Sequence, residues 1–326
     1  MRLWAITGAG VLAAAMTAPM PVAALTAPQY SHSWYITTHN TTTMYNRGFA
    51  DGGFDSQHCT GSMVVLDFGQ PTQEPYSGSN YQQYGTYDFG ETVYVSDDQI
   101  LSLAENYAAG WWDGSTSCPF LTLDFGTNNY HECPYGYSLS TCSVSTAGTE
   151  WAYLASSFNT WLHVHHNLGG GQYWTYSEQI RAATADDVES GYDCATKTEP
   201  FVTSYTNADS GGYGLYDFGD FYQNGSCWTA GELYYVAWGG YYSYNLPETY
   251  TNSQISAAIS VQQSQGSMQP SGNMATCAGG DPVPEPTCSN GFYGPTGGWN
   301  ALYNAQASAG LQQGTMAWST NIQYQP

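Results

Sequence analysis

"FLTLDFG", residues 120–126, is the stretch on which the fold turns. Its apolar run is too short for a helix, and it closes on Asp-Phe-Gly, a natural strand end where Asp takes a turn and Gly supplies a positive φ. Helical periodicity flanks it on both sides. Upstream, Ile100, Leu103, Ala104, Tyr107 and Trp111 share one face behind the cap residues Ser96, Asp97 and Asp98. Downstream, Trp151, Leu154, Ala155, Phe158, Trp161 and Leu162 do the same, and "LGGG" ends that segment. A strand set between two amphipathic helices belongs to a βα repeat with parallel pairing.

The pattern continues outward. Further strands are expected at "MVVLDFG" (63–69), "QIRAATADD" (179–187), "GLYDFGD" (214–220), "ELYYVAWG" (232–239) and "TMAWSTNI" (315–322), with two more near Trp34–Thr38 and Phe201–Tyr205. Shorter helices are expected at "SQISAAISVQQ" (253–263) and "GWNALYNAQASAG" (298–310). No glycine-rich nucleotide loop follows the first strand, which disfavours a doubly wound sheet. The expectation is a single, irregular (β/α)8 TIM-type barrel over residues 25–326.

Residues 1–24 carry one basic residue, Arg2, an apolar stretch from Leu3 to about Met16, and small residues Val22, Ala23 and Ala24. That reads as a secretory signal peptide and implies an extracellular protein. Eight cysteines suit this destination. Cys277 with Cys288, and Cys133 with Cys142, would close short loops; Cys194 with Cys227 and Cys59 with Cys118 are the pairs that remain. None forms a C-x-x-C pair, so a zinc site of the usual spacing is not indicated.

Four basic residues against 26 acidic ones give a formal net charge of −22. Such a surface repels phosphate backbones and anionic membranes, which argues against nucleic-acid and membrane partners. Most carboxylates lack a cationic partner, and protonation would relieve their repulsion, so tolerance of acid is expected. Aromatic residues at 16% argue against disorder.

"DFG" occurs four times, ending at Gly69, Gly90, Gly126 and Gly219. A kinase is excluded, because the only lysine, Lys197, has no strand context of the required kind. Three copies close expected strands, so Asp67, Asp124 and Asp217 are either plain turn residues, the favoured reading for any single copy, or carboxylates at the carboxyl-end mouth of a barrel, where Asp124 or Asp67 would assist the chemistry. "HVHHN" (163–167) ends an amphipathic helix and has no i, i+4 histidine pair, so no metal is assigned to it. No G-x-S-x-G is present. "NTT" at 40 and "NGS" at 224 match glycosylation acceptors.

The chemistry is concentrated in "ATADDVESG" (183–191). Asp187 and Glu189 are two apart, so extended backbone turns both to one side, about 6 to 7 Å between Cα atoms, and turns Asp186 to the other. Close carboxylates in a partly dry cleft cannot both ionise cheaply, and one keeps its proton as a general acid. Glu189, at the lip, is the expected acid/base and Asp187 its partner. Trp238 would end a strand, where its ring is either a sugar platform or, the favoured reading in so aromatic a chain, part of the packing. Glu248 in "LPETY" is either a mouth carboxylate or a helix-start residue after Pro247, the second being slightly favoured.

Taken with "ELYYVAWGGYYSYNLPETY" (232–250), the D-x-E strand end resembles secreted bacterial glycoside-hydrolase-like TIM-barrel proteins of mostly unknown activity, and more remotely family 25 lysozymes. The matching positions are Asp187, Glu189, Trp238, Gly239, Leu246, Pro247, Glu248 and Tyr250. The resemblance implies a carbohydrate substrate and no cofactor. The rival expectations are a barrel that binds cell-wall carbohydrate without catalysis and a structural surface protein.

Overall fold

The computed structural model describes residues 25–59, 61–75, 82–89, 93–117, 119–131, 133, 142–169, 172–223, 225, 227–266, 269–277, 288, 291–311 and 314–324. The expected signal peptide, Asn224 and Cys118 lie outside them. Eight parallel strands form one sheet: β1 (Ser31–Tyr35), β2 (Gly61–Asp67), β3 (Phe120–Asn128), β4 (Ile180–Asp187), β5 (Leu215–Asp217), β6 (Ser243–Asn245), β7 (Gly272–Ala275) and β8 (Trp318–Tyr324). Their spatial order is β6-β5-β4-β3-β2-β1-β8-β7. Helices α1 (Thr41–Asp55), α2 (Asp97–Gly114), α3 (Val144–Leu162), α4 (Ala195–Ala208), α5 (Ala230–Trp238), α6 (Asn252–Gln265) and α7 (Pro295–Ala309) alternate with the strands. This is the expected (β/α)8 barrel.

The ring is thinnest between β6 and β7, which share no regular ladder. Ser271 N–H donates to Asn245 O at 2.8 Å, Met274 N–H to Pro247 O at 3.1 Å and Thr249 N–H to Met274 O at 2.9 Å. Leu246 and Glu248 point their N–H groups the other way, to Asp217 O and Gly219 O. Residue 247 therefore faces β7, and as proline it has no N–H to give. That missing donor keeps the closure to a few bonds.

Alternation sorts the strand side chains into two cores. Met63, Val65, Ala185, Phe218, Leu246, Met274 and Ile322 fill the barrel interior. Val64, Leu66, Leu123, Phe125 and Leu215 face outward against Tyr107, Trp111, Phe158, Phe201 and Val236 of the helices.

Two expected strands are helices. Residues 232–239 lie mostly in α5, started by a capping box between Thr229 and Glu232. Leu233, Val236 and Ala237 provide its apolar stripe, and the density of β-prone aromatics hid that period. Phe201–Tyr205 sits inside α4, where Phe201 O comes so near Gly148 of α3 that an added Cβ would lie 2.2 Å away. The strands in their stead, β6 and β7, are three and four residues long, with no apolar run to announce them. Helix α1 was equally hidden. Asn40 caps it by accepting from Thr42 and Thr43 N–H, and the glycines that mask its pattern let it touch α2 backbone to backbone. A Cβ on Gly48 would sit 2.0 Å from Tyr107 O, and one on Gly110 2.0 Å from Tyr45 O.

Three expected disulfides are present: Cys133–Cys142, Cys194–Cys227 and Cys277–Cys288, with Cα separations of 5.4, 4.7 and 4.6 Å. Cys59 is also disulfide-bonded, and its expected partner lies outside the described residues. Among the described residues, no helix is long and apolar enough to cross a membrane.

Candidate functional site: a carboxylate-lined barrel mouth

Register decides which acids face inward. Asp187 pairs with Asn128, and Ala185 below it with Gly126, so Asp187 shares the interior face with Ala185. Asp186 pairs with Thr127 and Asp217 on the opposite face, as alternation requires. The strand then ends, but Glu189 keeps its direction because Asn129 clamps the chain. Its side-chain oxygen accepts from Glu189 N–H at 2.9 Å, and its amide donates to Glu189 O at 3.2 Å. Just beyond, Asp220 accepts from Ser190 N–H, and the Cys194–Cys227 bridge ties the loop after β4 to the loop after β5.

Glu248 enters from the β6 side. It bridges to Met274 of β7, accepts from Gln254 Nε2 at 2.7 Å, and accepts a hydrogen bond from Tyr250. It is a mouth carboxylate, and α6 begins only at Asn252, behind Thr251 as cap. Asp187, Glu189 and Glu248 each place one carboxylate oxygen so that all three lie within 4.8 Å of one another. Asp187 and Glu248 are buried, whereas Glu189 is half-buried at the lip.

Asp67 completes the inner wall. It pairs with Tyr35 and Gly126, and its Oδ1 accepts from Gly69 N–H at 2.9 Å while the buried Oδ2 has no hydrogen-bond partner. Gly69 has φ +93°, a conformation reserved for glycine, and a Cβ there would lie 2.1 Å from Tyr87 O. This turn sends the chain into a three-stranded antiparallel flap (Gln70–Pro75, Gln82–Tyr87, Tyr94–Ser96) beside the mouth.

Burial dominates the electrostatics. It pushes Asp67 up to about 8, opposed by the Gly69 hydrogen bond. It lifts Glu189 to about 7, with help from the Asp220 charge. Burial raises Asp187 well above the usual carboxylate range, and Glu189, Glu248 and Asp67 add repulsion. Glu248 is also raised well above it by burial and by Glu189, against the lowering effect of Tyr250 and Gln254. No guanidinium or ammonium group relieves this from among the described contacts. Lys197 is 2.6 Å from Asp193, Arg47 lies over the Trp34 ring, and Arg181 is exposed at the other end of β4.

The remaining expected site residues separate. Asp124 faces inward but pairs with Val65, one layer below Asp67, with both oxygens unpartnered and raised by burial alone. Asp217 turns to the outer face with Asp186, and its Oδ1 accepts from Gly219 N–H. Trp238 is no strand end. It is the last residue of α5, buried against Phe221 and Tyr234 in the layer between sheet and helices.

Other residues at the mouth carried little sequence signal. A cleft of about 200 Å³ is walled by Phe89, Tyr130, Tyr192 and Tyr324, with Gln70, Asp88 and Asn128 supplying polar groups. Tyr35 packs 4.8 Å from Tyr324 and hydrogen-bonds Tyr250, which joins the aromatic wall to Glu248. Burial and then the charges of Asp187, Glu189, Asp67 and Glu248 raise the pKa of Tyr192, and Asn128 of the cleft wall pairs with Asp187, so the cleft lies beside the carboxylates. Only Tyr250 was within reach of alternation, two residues after Glu248. Asp88, in the copy of "DFG" that follows the flap strand Gln82–Tyr87 and no barrel strand, lines the cleft 3.5 Å from His39.

Fold and site together define a (β/α)8 barrel with an acidic, aromatic-walled mouth at the carboxyl ends of its strands. No known protein family and no curated protein matches the chain.

Proposed function

We propose that this is an exported carbohydrate-active barrel that hydrolyses glycosidic bonds. The observation that carries the reading is the convergence of Asp187, Glu189 and Glu248 within 4.8 Å, beside an aromatic cleft at the barrel mouth. Barrel enzymes of this architecture work at that face. Glycoside hydrolysis asks for one carboxyl that gives and takes a proton and one carboxylate that faces positive charge at the anomeric carbon.

Glu189 suits the first role. A group near 7 both donates and recovers a proton at mild pH, and its half-buried place at the lip admits a leaving oxygen. Glu248 suits the second once it has given up its proton, because Gln254 and Tyr250 donate to it and oppose the burial that raises its pKa. Asp187, with Oδ1 unpartnered and its pKa raised well above the ordinary range, keeps a proton and orients Glu189. Oxygens no more than 4.8 Å apart favour a retaining arrangement, whose carboxyls lie about 5 to 5.5 Å apart, over the wider gap that admits a water. Tyrosine rings at the cleft present apolar faces to sugar C–H groups, and Asn128 and Gln70 can meet hydroxyls. The disulfides are compatible with export.

The test is turnover of a polysaccharide panel by wild type and Glu189→Gln. Loss of at least a hundredfold in the variant is expected, by removal of general acid catalysis. Equal turnover would remove Glu189 from the mechanism. Saturable binding by both proteins with no turnover by either would favour the barrel as a carbohydrate-binding protein, which the aromatic wall alone would support.

A further inference from the structure

We propose that Asp187, Glu189 and Glu248 form a site for one divalent cation of calcium size. This does not rest on the hydrolytic reading. The three residues come from different supports, the end of β4, the loop after it and the segment after β6, yet each brings an oxygen within 4.8 Å of the others. Hard cations take carboxylate oxygens at about 2.4 Å, so two ligands on opposite sides of calcium lie about 4.8 Å apart. The cluster has that span without rearrangement.

A second observation comes from outside the trio. Asp67 is fully buried on the inner wall, near enough for its charge to act on Asp187, and its Oδ2 has no hydrogen-bond partner. Asp187 Oδ1 is likewise buried without one. Unsatisfied buried oxygens are costly, and native sites hold few of them without an ion or water. A cation ligated by the trio would lie against the wall that holds these oxygens and would supply the positive charge they lack. Among the described residues no basic side chain competes, since Lys197 is held by Asp193, Arg47 lies on Trp34, and Arg181 is about 20 Å down β4. Tyr250 and Gln254 hold Glu248, and Asn129 holds the backbone of Glu189, so the ligands are largely preset.

The ion and the catalytic proton would occupy the same carboxylates. Calcium would therefore bind at the expense of the protonated cluster, since carboxylate ligands must be deprotonated. Calorimetric titration of the chelator-treated full chain with calcium chloride at pH 8 should show one site with Kd of about 0.1 to 1 mM, the range of extracellular modules. Terbium offers a parallel readout, with tyrosine-sensitised emission from neighbours such as Tyr35 and Tyr250 that calcium displaces. Glu189→Gln and Glu248→Gln should each weaken binding at least tenfold, while Asp113→Asn, on the exposed side of α2, leaves it unchanged. Saturable binding absent to about 10 mM calcium, or binding equal in all three variants, overturns the proposal. Should Glu248→Gln fail to fold, Glu189→Gln decides, because its side chain is half-exposed at the lip. Binding without turnover would separate this site from the hydrolytic reading, and turnover without binding would do the reverse.

Discussion

Replacing Asp67 with asparagine should make the protein more stable at pH 8 and leave it unchanged at pH 4. Asp67 is fully buried, and burial holds its pKa at about 8 against 3.8 for an ordinary aspartate. Below pH 4 both native and unfolded chains carry the proton, so folding does not depend on this group. Between pH 4 and 8 the native state keeps the proton while the unfolded state releases it, and stability falls as pH rises. Each unit of separation is worth 1.36 kcal/mol, so an interval of about 4 units sets a ceiling of about 5 to 6 kcal/mol. That is a large share of the 5 to 15 kcal/mol typical of a domain. Asparagine imitates the neutral acid: its Oδ1 still accepts from Gly69 N–H, and its amide replaces the protonated oxygen. Urea unfolding of both proteins at pH 4, 6 and 8, with chelator present and disulfides intact, measures the effect. The curves should meet at pH 4 and diverge by a few kcal/mol at pH 8. A difference that stays constant within about 0.5 kcal/mol across that range would refute the assignment of a buried, proton-holding Asp67.

Three other outcomes follow from the same geometry. Trp238→Ala should cost about 3 to 5 kcal/mol in denaturant unfolding, yet leave saccharide affinity at the mouth unchanged, because the ring packs on Phe221 and Tyr234. Tyr192→Ala, at a side chain 41% exposed on the cleft wall, should weaken oligosaccharide binding by about tenfold without shifting the melting temperature. Gly110→Ala should lower the melting temperature by several degrees or prevent folding, since its Cβ would meet Tyr45 O at 2.0 Å; an unchanged melt would mean that α1 and α2 do not touch there.

The sequence was most informative where one period dominated. Residues 63–67, 121–126 and 182–187 lie in strands buried almost throughout, although β3 runs on through Gly126 to Asn128 instead of turning at its "DFG". The helices around Tyr107 and Phe158 have continuous stripes and were legible, but α3 stops at Leu162, well before the "LGGG" expected to end it, and residues 166–169 are extended. Failures came where local preference and tertiary context disagreed. Aromatic density made α5 look like a strand, and glycines required for close packing erased the pattern of α1. The short β6 and β7 are held by their neighbours' ladders, so nothing in their own residues marks them.

Within the site, the sequence by itself determined that Asp187 and Asp186 face opposite sides of β4, because strand alternation is a local property of the backbone, whereas Glu189, beyond the strand end, keeps the direction of Asp187 only through the Asn129 clamp. It also determined that few cations were available to neutralise them. Only the tertiary structure decided that Glu248 joins the pair, that Asp217 turns outward while Asp67 turns inward from the same tripeptide, and that Asp124 lies a layer deeper. Those outcomes depend on register between strands distant in sequence, and register is set by packing across the whole barrel.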